Sequence, residues 1–182
     1  MRTKSVFFII ITMLVTMSVS SFVSGKILFK DNFEDDKVGQ PPKNWVVGFE
    51  GKDDAKVVQD PERGKNKVFS SPTERHDVKG AIYITGKGEN WTDYYVQWEM
   101  LFPKDFYMGI VFRFSGGESF YLLDRRQNSK QLDFWKRQGG WKNFGTSEDA
   151  QGLAIEQWWS FQLKISGKDF EVKMKDTKKK TK

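Results

Sequence analysis

Cysteine is absent from this 182-residue chain. Disulfides, thiolate metal sites and a lipid-modified cysteine are therefore all excluded, and the fold must rest on apolar burial alone. Histidine is nearly absent too, with His76 alone in the stretch Glu74-Arg75-His76-Asp77. One histidine without cysteine does not make a zinc site, which needs several nitrogen, sulfur or oxygen ligands. Nor does the sequence place a serine beside it for a Ser–His–Asp device. No segment beyond residue 25 carries a helical period of convincing length. The longest apolar stretch, residues 6–19, falls short of the roughly 20 residues a membrane span requires.

What is present at the N-terminus reads as a secretory signal. Arg2 and Lys4 supply a positive start, residues 6–19 an apolar middle, and Val23-Ser24-Gly25 a cleavage site before Lys26. An uncleaved anchor is the alternative. The expected organisation is a signal over residues 1–25, one β-sandwich domain over 26–175, and a lysine-rich tail over 176–182, in a secreted or periplasmic protein. A domain of this size buries about 68–70% of its unfolded surface, enough for a real core.

The formal charge of +6 is misleading. Two positive charges belong to the signal, and the last ten residues carry a local +5. The body between them is close to neutral, so no basic face for nucleic acid is expected. The lysine tail is read as solvated, with only non-specific attraction for anionic surfaces.

The rest is a succession of short aromatic strands separated by Gly, Ser, Asn, Asp and Pro, which signals an antiparallel all-β sandwich or barrel. Strands are expected over residues 27–33, 55–60, 66–70, 81–85, 94–102, 108–114, 120–125, 132–137, 159–165 and 170–174. Residues 39–45 form a loop because Pro41 and Pro42 forbid helix and central strand alike. The 147–156 segment has room for one helical turn.

Alternation assigns the faces. Tyr94, Val96, Trp98, Met100 and Phe102 share one side, as do Ile110, Phe112 and Phe114, then Trp159, Phe161, Leu163 and Ile165, then Phe170, Val172 and Met174. These are the expected core. The opposite side carries Tyr95, Gln97, Glu99, Arg113, Tyr121, Arg125, Gln131, Asp133, Trp135 and Arg137. A face that mixes aromatic platforms with Arg, Asp, Glu and Gln suits a sugar, whose C–H face stacks on rings while its hydroxyls pair with polar side chains. Simple cross-strand neutralisation, Glu99 with Arg113 and Asp133 with Arg125, is the competing explanation.

The order of motifs resembles the concanavalin A-like lectin/glucanase superfamily over nearly all of residues 26–175. Lys30-Asp31-Asn32-Phe33-Glu34-Asp35 and Pro41-Pro42-Lys43-Asn44-Trp45 resemble the start of bacterial exported domains of that group. Met108-Gly109-Ile110-Val111-Phe112-Arg113-Phe114 with Phe120-Tyr121-Leu122-Leu123 resembles their "G-I-x-F-R … Y-Y-L" strand pair. Leu132-Asp133-Phe134-Trp135-Lys136 with Gly140-Trp141 is similar to their next hairpin, and Trp158-Trp159 through Gly167 to their "W-x-x-L-x-V-x-G" strand. The resemblance implies a two-sheet jelly roll of the laminin-G-like or 3-keto-disaccharide hydrolase type. It also implies a shortened C-terminus, with residues 27–33 left as an open edge.

The departures bear on activity. Family-16 glycosidases of that fold carry an E-x-D-x-E strand, and no such spacing exists here. Where the keto-disaccharide group has a G-G-x-S-G-I element, only Gly109-Ile110 remains. The expectation is a secreted module recognising extracellular carbohydrate through Tyr95, Glu99, Arg113, Tyr121, Arg125, Asp133 and Trp135. Glycoside hydrolysis with Glu99 or Asp133 as acid/base, and laminin-G-like protein adhesion, are the alternatives. Superfamily members often bind calcium, for which Asp31, Asn32, Glu34 and Asp35 are the candidate oxygen ligands, although acidic turns are commonly just solvated. Asn90-Trp91-Thr92 matches a glycosylation acceptor, meaningful only in a host that glycosylates exported proteins.

Overall fold

A computed structural model of the chain describes residues 26–49, 55–70, 82–85, 87–88, 90–103, 107–126, 130–147 and 152–177. The proposed signal, the His76 segment, residues 148–151 of the loop expected to hold a helical turn, and lysines 178–182 lie outside them. The described residues are all-β, with no helix. No helix among them is long and apolar enough to cross a membrane.

Eleven strands follow in order: β1 (Val46–Phe49), β2 (Lys56–Gln59), β3 (Lys67–Ser70), β4 (Ile82–Ile84), β5 (Tyr94–Leu101), β6 (Met108–Phe112), β7 (Phe120–Arg125), β8 (Leu132–Arg137), β9 (Trp141–Thr146), β10 (Trp158–Ser166) and β11 (Asp169–Asp176). They form a four-stranded sheet β6-β7-β8-β9, a three-stranded sheet β11-β10-β5, and two hairpin-sized pairs, β2-β3 and β1-β4, every pairing antiparallel.

The two larger sheets close on one core. Phe112, Leu123 and Leu132 come from the four-stranded sheet, and Trp159, Phe161, Leu163 and Ile165 from the three-stranded one, with Leu153 and Phe102 at the border. Trp98 stacks on Phe161 at 5.0 Å, and Phe170 of β11 meets Phe112, Tyr121 and Phe134 across the core at 5.1–5.5 Å. The architecture is compatible with a β-sandwich. The alternation in β5 is as the sequence implies, its even-numbered residues turned inward and Tyr95, Gln97 and Glu99 exposed. The tight β10–β11 connection places Gly167 at φ +54°, where a two-residue hairpin favours glycine.

A satellite aromatic cluster joins the N-terminal segment to the small sheets. Trp45 stacks on Phe69 at 5.8 Å, with Phe33 and Phe29 against Trp45 and Tyr83 edge-on to Phe69. Residues 27–33 are not a strand, contrary to expectation. The Asp31 carboxylate accepts the Phe33 N–H at 2.9 Å, and Phe33 adopts φ +60°, so the chain turns where an extended run was expected. Likewise β6 ends at Phe112, because Arg113 at φ +49° bends the chain. Phe114, expected in the core beside Phe112, instead stacks on Phe120 at 6.0 Å.

Leu163 and Val172 are directly opposed in the β10–β11 ladder, yet Leu163 is fully buried and Val172 is 36% exposed at the sheet edge. Leu163→Ala is expected to cost about 2–5 kcal/mol of unfolding free energy, and Val172→Ala less than about 1 kcal/mol. Urea denaturation of the two variants checks this, and equal losses would contradict the core placement.

Candidate functional site

The residues singled out from sequence fall in three places. Tyr95 and Glu99 lie on the outer face of the three-stranded sheet, with Gln97 between them. Glu99 is ion-paired with Arg63, whose guanidinium covers the Trp158 ring at 4.3 Å. Gln97, Glu99, Ser160, Gln162, Lys173 and Lys175 line a shallow trough of about 440 Å³ there. Asp133 and Trp135 belong to the outer face of the other sheet, so Glu99 and Asp133 do not face one another across a groove.

Tyr121 and Arg125 belong to neither outer face, which corrects the expected register of β7. Tyr121 stacks with Phe112 at 5.6 Å and with Phe134 at 5.8 Å inside the core. Arg125 is 2% exposed, donates from Nε to the Leu153 carbonyl at 3.0 Å, and lies over the Phe102 ring. Two features defeat sequence alternation in β7: both of its faces are covered, and a buried arginine sits where an exposed one was expected. Arg113 is a tie between the sheets. Its guanidinium donates to the carbonyls of Thr92 at 3.0 Å and Gly167 at 2.7 Å and rests over Phe170. The neutralising pairs weighed as the competing explanation, Glu99–Arg113 and Asp133–Arg125, are not among the ion pairs of the described residues; each of these groups has other partners.

The acidic turn is a hydrogen-bonded frame. Asp31 Oδ2 accepts from Trp45 Nε1 at 3.0 Å and Asn44 Nδ2 at 3.3 Å, and Asn32 Oδ1 accepts the Glu34 N–H. Glu34 Oε1 accepts the Lys67 N–H, and the Asp35 carbonyl accepts from Lys43 Nζ. The Lys67 ammonium donates to the carbonyls of Glu34 and Asp36 at 2.6 and 2.7 Å, and so puts a fixed cation in the middle of the proposed ligand set. Among the described residues no three acidic or histidine side chains converge in a way suited to a metal ion.

What the fold does assemble is a cluster on the outer face of β7, β8 and β9. Asp124 of β7 and Asp133 of β8 are direct cross-strand partners, an arrangement that brings Cβ atoms to within about 5.5 Å. Arg126, just past β7, spans them: its Nε lies 3.4 Å from Asp124 Oδ1 and 3.5 Å from Asp133 Oδ2. Its guanidinium lies over the Trp135 ring at 4.2 Å and over the Tyr107 ring at 5.1 Å. Thr146 Oγ1 of β9 donates to Asp133 Oδ1 at 2.7 Å. Further along, Trp135 meets Trp141 edge-on at 6.3 Å, and Arg137 lies over Trp141 while pairing with Glu118 at 2.6 Å.

Gly109 explains why β6 lies so close here. It opposes Asp124 in the ladder, and a Cβ at that position would sit 2.1 Å from the Leu123 carbonyl oxygen and 2.6 Å from Asp124 atoms. The resulting close approach leaves Asp124 only 4% exposed. Burial pushes its carboxyl from 3.8 up to about 7; the Arg126 guanidinium pulls against that rise, and the facing Asp133 carboxylate adds to it.

The face combines unmet polarity with open rings. Asp124 Oδ1, Arg126 Nε, Trp135 Nε1 and Arg137 Nε are buried atoms without a hydrogen bond among the described residues. Beside them Trp141 is 48% exposed and Tyr107 58%. Sequence reading reached Asp133, Trp135 and Arg137 and missed Asp124, Arg126, Tyr107 and Trp141. The hairpin register from Arg125–Leu132 outward, which pairs Asp124 with Asp133, was the signal available for the first of these. Comparison of the chain with protein-family models, with curated proteins and with solved structures finds no match in any of the three.

An acid whose folded pKa lies above its unfolded value costs stability as pH rises between the two. For Asp124 that window runs from 3.8 to about 7, the native state holding the extra proton. Asp124→Asn should therefore leave stability near that of the wild type at pH 4. It should stabilise by roughly 2–4 kcal/mol above pH 7. Denaturation curves of both proteins across that range check the sign, and a gain confined to acid pH would contradict it.

Proposed function

We propose that this chain is an exported jelly-roll domain of the concanavalin A-like kind that recognises extracellular carbohydrate. In this reading, the ligand lies on the outer face of β7, β8 and β9. The observation that carries it is the convergence, on one sheet face, of exposed Trp141 and Tyr107 with Asp124, Arg126, Trp135 and Arg137 atoms that lack hydrogen bonds among the described residues. Exposed rings offer stacking platforms for pyranose C–H faces, and a polyhydroxylated ligand has both donors and acceptors for the polar groups between them. The motif order supports the fold assignment, and the apolar stretch at residues 6–19 supports export.

A second reading is favoured by one feature, the Asp124–Asp133 pair. A carboxyl group whose affinity for its proton is raised by burial, beside a second carboxyl group, suits the division of labour that glycoside cleavage uses, one group to protonate the leaving oxygen and the other to stabilise or attack the anomeric carbon. Asp124 and Asp133 carry it here, and Glu99, held by Arg63 on the opposite sheet, takes no part.

Calorimetric titration of the protein with pooled glycans separates the two. Saturating heat is the expected result. Trp141→Ala should weaken it by about tenfold or more, a loss of at least about 1.4 kcal/mol, and Glu99→Gln should leave it unchanged. Heat that continues in proportion to added substrate and disappears in Asp133→Asn would establish cleavage instead. Binding that survives Trp141→Ala but is lost in Glu99→Gln would move the site to the other sheet.

A further inference from the structure

We infer that Arg126 is a proton-controlled latch on the carbohydrate face, covering the Trp135 ring when Asp124 is charged and leaving it when Asp124 is neutral. The assignment of this face to carbohydrate is the reading given above, on which the ligand side of the inference rests.

Four geometric facts carry it. First, Asp124 and Asp133 are direct cross-strand neighbours, a placement in which two negative charges repel unless a cation stands between them. Second, Arg126 is that cation, at 3.4 Å from one carboxylate and 3.5 Å from the other. Third, Arg126 Nε and Asp124 Oδ1, though close, form no hydrogen bond, so the contact is ionic rather than directional and loosens when one charge is removed. Fourth, the same guanidinium lies over the Trp135 ring at 4.2 Å, while the arginine side chain remains 28% exposed and has solvent to move into.

Around Asp124 the charged and titratable groups among the described residues are few. β8 contributes Asp133, the end of β7 contributes Arg126, and Tyr107 ahead of β6 has its ring 5.1 Å from the guanidinium. β6 itself presents Gly109, which brings backbone and no charge. Arg125, the next residue, points through the sheet to the Leu153 carbonyl. Among the described residues the proton that counts is therefore the one on Asp124, and burial places its loss near neutral pH. Above that point the Asp124 charge holds Arg126 over the ring. Below it that attraction is lost, Trp135 is uncovered, and Asp124 gains a hydroxyl donor that a sugar oxygen can accept from. Binding is thus stronger in acid than in alkali.

The test reads the latch without any ligand. Indole N–H resonances of the full protein are followed between pH 5 and pH 9, with Trp135 assigned through Trp135→Phe. Its signal should shift with a midpoint at about 7, and in Asp124→Asn it should stay at the acid position throughout. A Trp135 signal that is flat over this range, or that still titrates in Asp124→Asn, would overturn the latch. Glycan titrations at pH 5.5 and 8.5 then test the coupling, with binding expected to be about fivefold or more tighter at the lower pH; equal binding at both would overturn the control of the site. A titrating Trp135 with no saturable glycan binding at either pH would uphold the switch and refute the carbohydrate reading.

Discussion

Phe170 is the contact on which the arrangement of this molecule depends. It reaches from β11 across the core to Phe112, Tyr121 and Phe134, rings of three successive strands of the facing sheet. Without disulfides, this interleaving of aromatic side chains is what fixes one sheet over the other. It also fixes what faces outward. Because strand side chains alternate, pinning Tyr121 and Phe134 inside forces Asp124 and Asp133, each an odd number of residues away, onto the opposite face. The outer cluster is a geometric consequence of the inner one.

The alternation in β5 and β10 was readable in the sequence because each of those strands has one apolar and one polar side. Tyr94 through Met100 and Trp159 through Ile165 project inward as their spacing implies. The hairpin of β2 and β3 was readable for another reason: its turn at Pro61 to Gly64 punctuates two short runs. β7 was not readable. Phe120, Tyr121, Leu122 and Leu123 are apolar on both sides, and the polar residues that follow, Asp124 and Arg125, are both buried. A rule that sends arginine to solvent picks the wrong face there. Arg125 is satisfied by a backbone carbonyl from the 152–157 segment, a long-range partner that no local pattern announces.

The same limit explains the N-terminal segment and the candidate site. Residues 27–33 have strand composition, yet a single Asp31 carboxylate, by accepting the Phe33 N–H and the Trp45 indole, turns the chain. The acidic turn looks like a set of metal ligands in sequence, but its oxygens are met by Lys67, Lys43, Asn44 and Trp45, three of which come from residues 43–45 and one from β3. At the outer face, Asp133 and Trp135 stood out by type. Arg126 and Tyr107 did not, since they flank strands and only the folded hairpins bring them against Trp135.

The cost of this outer cluster argues that it has a use. Two carboxylates side by side in a ladder are destabilising, and burying one of them adds a desolvation penalty that hydrophobic residues of similar size would avoid. A purely structural pairing would be expected to complete its hydrogen bonds, as Arg125 and Arg113 do with nearby carbonyls. Among the described residues, Arg126, Asp124, Trp135 and Arg137 instead keep buried atoms unmet within a few ångströms of exposed rings. Elsewhere among the described residues, charged groups such as Arg113, Arg125 and Lys67 bind backbone carbonyls and tie segments together. Here they are held close to one another and left incomplete, which is the condition in which an incoming ligand, or a single proton, changes the balance most.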